Sequence, residues 1–198
     1  MIDSLPTSRL NLLMDMKTTI LDSAQRLIQQ RGVNGFSYAD IAKEVGVSKP
    51  SLHHHFATKA ELVARLMERY TEQLIEYLDS VDKKSLSAKD KICAYCDLYR
   101  SSLDHEKVCL GGILSAEALT LETDTQPLLT RFFEYQQQWL TQALKQGKAN
   151  GELHLKMPVK NQAVVMIASL QGALVISRAS KTKAPFEQSV KGLLSAIE

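Results

Sequence analysis

Between Phe36 and Leu62 the chain reads FSYADIAKEVGVSKPSLHHHFATKAEL. Three helix starts and one tight turn are packed into this stretch. Ser37 precedes an apolar-periodic run and has Asp40 three residues on, the spacing of a capping box. Ile41, Ala42 and Val45 share one face of the resulting helix. Gly46 supplies a sharp turn, where a positive φ costs glycine nothing. Ser48 caps a second helix, and Pro50 falls in its first turn, where a missing N–H is no loss. Leu52 and Phe56 give that helix a buried face. Thr58 and Glu61 form a capping box for a third helix, whose Leu62, Val63, Leu66, Met67, Tyr70 and Leu74 repeat at helical spacing. Short capped helices joined by a tight turn are what a helix-turn-helix needs to place one helix in the major groove of DNA.

The middle helix, Ser48 to about His55, is the candidate reader. At 1.5 Å per residue it is roughly 10–12 Å long, about the width of the major groove. Lys49, Ser51, His53 and His54 point outward. Lysine binds phosphate or guanine, serine binds phosphate or base, and the helix start offers free N–H groups to a phosphate. Lys59, in the first turn of the next helix, would meet the backbone beside it. The competing reading is a merely solvated polar face, which three capped helices at this spacing disfavour.

These residues carry a resemblance. The pattern Phe36-Ser37-x-x-Asp40-Ile41-Ala42-x-x-x-Gly46-Val47-Ser48, then Leu52-x-x-His55-Phe56-x-x-Lys59-x-x-Leu62, resembles the TetR/AcrR family of bacterial transcriptional regulators. The resemblance implies an all-α homodimer. Its helix-turn-helix domain would span 16–62, with the fourth helix continuing to about 78 as a connector. An effector-binding and dimerisation domain would span 79–198. Carried over by position, Ser37 and Lys59 look like phosphate contacts, and Lys49, Ser51 and His54 like base-side contacts. Tyr38, Ser48, Pro50 and His53 complete the DNA-facing set. The family usually has Tyr where this chain has His53. Imidazole still donates a hydrogen bond, and gains a charge when protonated.

Charge limits how such a protein could hold DNA. Net charge is only +2. Residues 1–60 carry seven Lys/Arg (9, 17, 26, 31, 43, 49, 59) against five Asp/Glu (3, 15, 22, 40, 44). DNA contacts are therefore expected from placement rather than from a basic tail. Residues 1–15 read as an arm or disordered terminus, with Met14 and Met16 as alternative natural starts and the first helix beginning near Met16. Its buried face would be Ile20, Leu21, Ala24, Leu27 and Ile28.

Beyond Tyr70 the chain reads as further helices. One spans about Ala88 to Leu103, and a break runs from Asp104 to Gly112. A short helix follows from Ile113 to Leu121. A long one has Pro127 just inside its start and ends near Gly147 or Gly151. Another runs from Pro158 to Ser180, and a last one from Pro185 onward. No β-alternation of any length appears. The apolar stretch Ala163–Ile176 reads as too short for a membrane span, and no secretory signal is visible, so the expected location is the cytoplasm. The 158–180 helix is apolar nearly all round, as expected of one buried on two sides. Ala168, Leu170, Gly172 and Val175 are its candidate dimer contacts; a central core helix in a monomer is the alternative.

A pocket for an unknown small-molecule effector would lie between about Ala88 and Gly147. Tyr95, Tyr99, Cys109, Ile113, Phe132, Phe133, Tyr135 and Trp139 are its candidate lining, although such residues are more often plain core. Cys109 precedes a helix start, where backbone N–H groups and nearby Lys107 favour thiolate. Val108-Cys109-Leu110-Gly111-Gly112 with Ser115-Ala116-Glu117 resembles the region through which some repressors of the family sense electrophiles or oxidants. A buried packing cysteine is the alternative.

Other chemistry is poorly supported. Adjacent side chains on a helix diverge by about 100°, so His53, His54 and His55 cannot converge on one ion. Cys93, Cys96, His105 and Cys109 suit zinc by type, but C-x-x-C lacks a matching second pair. No phosphate loop, nucleophile elbow or HExxH occurs, so no metal, cofactor or catalytic residue is expected. The expected function is a one-component DNA-binding regulator, released as a repressor from a palindromic operator by an effector. The alternatives are electrophile sensing through Cys109, or a helical protein-interaction adaptor without specific DNA binding.

Overall fold

The structure is a computed structural model describing residues 7–103, 107–121 and 125–198. The order is α1 (Thr7–Arg31), a 3-10 turn (Val33–Gly35), α2 (Tyr38–Val45), α3 (Lys49–His55), α4 (Lys59–Asp82), α5 (Ala88–Leu103), α6 (Leu110–Ala116), a second 3-10 turn (Ala118–Thr120), α7 (Thr125–Ala149), α8 (Val159–Ser180) and α9 (Ala184–Ser195). No strand occurs among the described residues, as the all-α reading expected.

The expected capping chemistry is present. Ser48 Oγ accepts the Ser51 N–H at 3.3 Å, and Thr58 Oγ1 accepts the Glu61 N–H at 3.0 Å. Gly46 adopts φ 77°, ψ 29°, and its N–H and that of Val47 both close on the Ala42 carbonyl at 3.0 Å. Ile41, Leu52 and Phe56 then point inward onto Ile20, Ala24 and Leu62 in one continuous core. α1 packs on α2 and α4, α4 runs on against α5 and α7, and α8 packs between α7 and α9.

Several boundaries differ from expectation. α1 starts at Thr7, so the part of the expected arm from 7 to 15 is helical; residues 1–6 lie outside the described residues. α4 continues to Asp82, because Leu78 and Val81 extend its buried stripe by another turn. α6 begins at Leu110, three residues early. Gly111 and Gly112, which read as a break, are helical because there is no room there for a side chain. A Cβ on Gly111 would strike the Phe132 ring, and one on Gly112 the Gln171 amide. Residues 104–106 of the expected break, including His105 of the zinc alternative, lie outside the described residues.

α8 has one packed side and one bare side. Gln162, Ala163, Met166, Leu170, Ala173, Leu174 and Ser177 are buried within the protomer. Leu170 is therefore core and not a dimer contact. Val164, Val165, Val175 and Ile176 are exposed, with Ala168 on the same stripe, and nothing lies within 4 Å of where a Gly172 side chain would start. Contrary to expectation, this 22-residue helix is long and apolar enough to cross a membrane by length and composition. Its packing against α5, α7 and α9 is that of one wall of a helical bundle.

Candidate nucleic-acid interface and effector cavity

α3 stands on the surface with its first turn bare. Ser48, Lys49, Pro50, His53 and His54 are exposed and Ser51 is half-buried, while Leu52 beneath them is fully enclosed. The helix is seven residues long, so one apolar anchor leaves most of its circumference to water. Its two caps fix its direction. Ser48 uses its oxygen on the Ser51 N–H, and the Phe56 N–H closes on the Leu52 carbonyl at 2.9 Å. Pro50 has no N–H and the Ser51 and Leu52 N–H groups both go to Ser48, so the exposed Lys49 ammonium at the positive end of the helix is the group that suits phosphate.

Three other candidates are turned to internal work. The Tyr38 hydroxyl donates to the carbonyls of Phe56 (3.0 Å) and Thr58 (2.6 Å), pinning α2 to the α3–α4 corner. Burial, then the Glu61 charge, pushes its pKa up to about 12. Its one proton is thus committed, which removes it as a phosphate donor. Lys59 is half-buried; its Nζ donates to Val33 O (2.5 Å) and Phe36 O (2.8 Å) and sits 4.2 Å from the Phe36 ring centroid. Burial lowers its pKa, against the pull of Glu117 and Asp40. Lys59 is a clamp on the turn before α2, with two of its three protons spent there. Ser37 stays exposed, but its hydroxyl and N–H both donate to Asp40 Oδ2 at 2.7 Å.

His53 has a defined donor. Its Nδ1 lies 3.2 Å from the Ala57 carbonyl, and its ring packs 4.6 Å from that of Tyr38. A carbonyl only accepts, so Nδ1 carries a proton and Nε2 faces outward. A neutral His53 therefore offers DNA an acceptor, and a protonated one a donor. His54 meets the half-buried His55 edge-on, and the His55 pKa is lowered by burial and then by His54 and Lys17. Among the described residues no His, Cys, Asp and Glu group could hold a metal.

A cavity of about 70 Å³ lies among α4, α5 and α7, reached by Cys109 at the start of α6. Tyr70, Gln73, Leu74, Leu98, Tyr99, Ser102, Cys109, Phe132 and Gln136 line it, and none is charged. Gln136 Oε1 accepts from both Tyr95 (2.6 Å) and Tyr99 (2.7 Å), and Gln171 Nε2 donates to the Tyr99 hydroxyl at 3.3 Å. Of the expected lining only Tyr99, Cys109 and Phe132 face the cavity, with Tyr95 behind Gln136. Trp139 stacks on Tyr95 and donates to Asp82 at 2.9 Å, and Tyr135 reaches Asp79 at 3.4 Å; both serve the α4–α7 seam. Phe133 packs edge-on to Phe132. Ile113 lines a separate outer groove of about 360 Å³ with Cys109, Gly112, Gln171 and Val175. The expected lining lacks Tyr70, Gln73, Leu74, Leu98, Ser102 and Gln136, of which Gln136 is the polar centre. A glutamine one turn from Phe132 and Trp139, on an otherwise apolar face, was its signal.

Cys109 thus stands between cavity and groove. It caps α6 as expected, but it is buried, and burial pushes its thiol pKa up. Hydrogen bonds from Gln171, the N–H groups of Gly112 and Gly111, and Tyr70 oppose that rise without cancelling it. The resting group is a thiol, not the expected thiolate.

Known proteins share both parts of this architecture. The family description "Bacterial regulatory proteins, tetR family" matches residues 20–66. The HTH-type transcriptional repressor NemR of Escherichia coli (strain K12) is 28% identical over 193 residues, covering 92% of this chain and 94% of that protein. A TetR family transcriptional regulator from Agrobacterium tumefaciens superposes with a TM-score of 0.89 at 28% identity, over 93% of this chain and 98% of that one. The reduced form of E. coli NemR does so at 0.82 and 25% identity, over 93% and 97%. With a capped, outward-facing α3 inside the matched segment and a helical body that superposes nearly end to end, the chain is similar over almost its whole length to TetR-family DNA-binding transcriptional regulators.

Proposed function

We propose that this protein is a cytoplasmic, homodimeric repressor that binds a palindromic operator and leaves it when a small effector enters the cavity beside Cys109. The observation that carries the DNA reading is the bare first turn of α3, with Ser48, Lys49 and Pro50 exposed, Ser51 half-buried and Leu52 anchored beneath. Residues 16–62 form the reading head, and residues 79–198 bind effector and partner. Lys49, Ser51 and His54 face base edges, and Ser48 and His53 the flanking phosphates. A partner's matching helix covers the bare α8 stripe of Ala168, Gly172 and Val175, since a self-complementary apolar face suits a two-fold dimer. Effector and operator stabilise different arrangements of the same dimer, so each weakens the other's binding.

The test begins with in-vitro selection of duplex sites by the purified protein. The selected site should bind with an affinity that falls as salt rises. A helical adaptor would bind no duplex at all.

The lining of the cavity favours an uncharged effector, because a lone charge there would find no counter-charge. A second reading follows from Cys109, whose thiol is ringed by four hydrogen-bond donors and touches both cavity and groove. Those donors would stabilise the thiolate once the thiol has given its proton to solvent, and that thiolate attacks the electrophile; the similar protein from E. coli was crystallised in a form named as reduced. If so, diamide or a maleimide releases the wild-type protein from its operator and leaves Cys109→Ser bound. Full release of that variant would end this reading.

A further inference from the structure

α6 touches the reading head at both of its ends. Just ahead of its start, the Val108 N–H donates to the Gln29 carbonyl at 3.3 Å, and Gln29 Nε2 returns a bond to the Val108 carbonyl at 3.0 Å. At its far end Glu117 caps the helix and reaches the turn between α1 and α2. Its Oε2 accepts from the Asn34 N–H at 3.3 Å and from Asn34 Nδ2 at 3.1 Å. Its other carboxylate oxygen lies where a side chain on Gly32 would begin, so only a residue without a Cβ leaves it room. Gly32 also holds φ 80°, a conformation that other residues resist. The same turn supplies the Val33 and Phe36 carbonyls that bind Lys59, and the Lys59 ammonium feels the Glu117 charge.

We propose that Glu117 is a latch through which α6 carries the state of the Cys109 cavity to the DNA-reading helices. The inference rests on the repressor reading above and adds the residue that transmits release. α6 is short, at roughly 10 Å, and moves as one piece. At its Cys109 end the backbone of Gly111 and Gly112 runs so close to Phe132 and Gln171 that a Cβ at either position would strike them. Atoms added at Cys109 therefore displace the helix, which draws Glu117 off Asn34. The 33–36 turn loosens, Lys59 loses its two carbonyls, and α2 and α3 leave the position in which they fit the groove. By reciprocity, operator DNA holds the latch closed and slows entry at Cys109.

This is testable with N-ethylmaleimide as the probe. Its addition at Cys109 is followed by peptide mass spectrometry, with the selected operator or a scrambled duplex present. In the wild type, operator should slow addition at Cys109 about fivefold or more. Glu117→Ala should remove most of that protection, to within about twofold, and should speed addition in the absence of DNA. It should also bind operator more weakly while retaining its helical circular dichroism. Glu117→Gln keeps an acceptor oxygen and should keep part of the protection. Asn34→Ala tests the same contact from the other side, should Glu117→Ala prove unstable. If wild type is protected and both alanine variants are protected equally well, the latch is wrong and the repressor reading stands. If operator fails to protect even the wild type, the coupling of cavity to DNA is itself wrong.

Discussion

Lys49 stands in water at the first turn of α3, whereas Lys59 gives two protons to carbonyls of its own chain. The two lysines flank one short helix and should fail differently when replaced. Lys49→Ala is expected to weaken operator binding about tenfold, in the range of a lost base or phosphate contact, with an unchanged urea midpoint. Lys59→Met is expected to lower stability by about 2 kcal/mol, because it leaves two carbonyls without a charged donor. Tyr38→Phe should cost about 1 kcal/mol for the same kind of reason. The Ser37 hydroxyl, and then its N–H, hold the Asp40 carboxyl below its ordinary range. A depressed carboxyl stabilises the fold above its unfolded-state pKa, and that contribution is lost as pH falls through the lower folded value. Asp40→Asn should therefore flatten the fall in thermal midpoint below about pH 4. A steeper acid limb in the variant would count against the capping pair.

At the scale of elements, what was legible in the sequence is what is local. Ser48, Pro50, Gly46 and Thr58 mark α2, α3 and α4 through bonds made within three or four residues, so spacing alone locates them. α6 was misplaced because its glycines obey a distant constraint. Gly111 meets Phe132 of α7, and Gly112 meets Gln171 of α8, pairings that no local pattern encodes. The candidate site divides the same way. Exposure of Lys49, His53 and His54 follows from helical phase, whereas the inward turns of Tyr38 and Lys59 depend on carbonyls 18 to 26 residues away. The cavity is partly legible: Tyr99 and Phe132 are readable on α5 and α7, whereas Tyr70, Gln73 and Leu74 reach it from α4, outside the expected stretch, and the apolar stripe on α7 hides Gln136. Gly111→Ala is expected to destabilise the protein by about 1–3 kcal/mol, because its Cβ would start 2.5 Å from the Phe132 ring and force that ring to shift. Differential scanning calorimetry checks it, and an unchanged midpoint would mean that α6 has slack.

On the scale of the whole molecule, one unbroken core joins the reading helices to the helical body, and α4 runs through both. The proposed coupling of cavity to operator therefore has a continuously packed path to α3. In the proposed dimer, the bare stripe on α8 seats the second copy that a palindrome requires. Val175→Glu should convert the dimer to a monomer in sedimentation velocity, since it would place two like charges in an apolar seam. The most direct measurement of the central claim is an anisotropy titration of the selected operator with wild type, Lys49→Ala and Tyr38→Phe at fixed salt. Lys49→Ala should bind about tenfold more weakly with unaltered stability, and Tyr38→Phe should bind nearly as wild type despite its lower stability. Equal affinity of Lys49→Ala and wild type would contradict the placement of α3 in the groove.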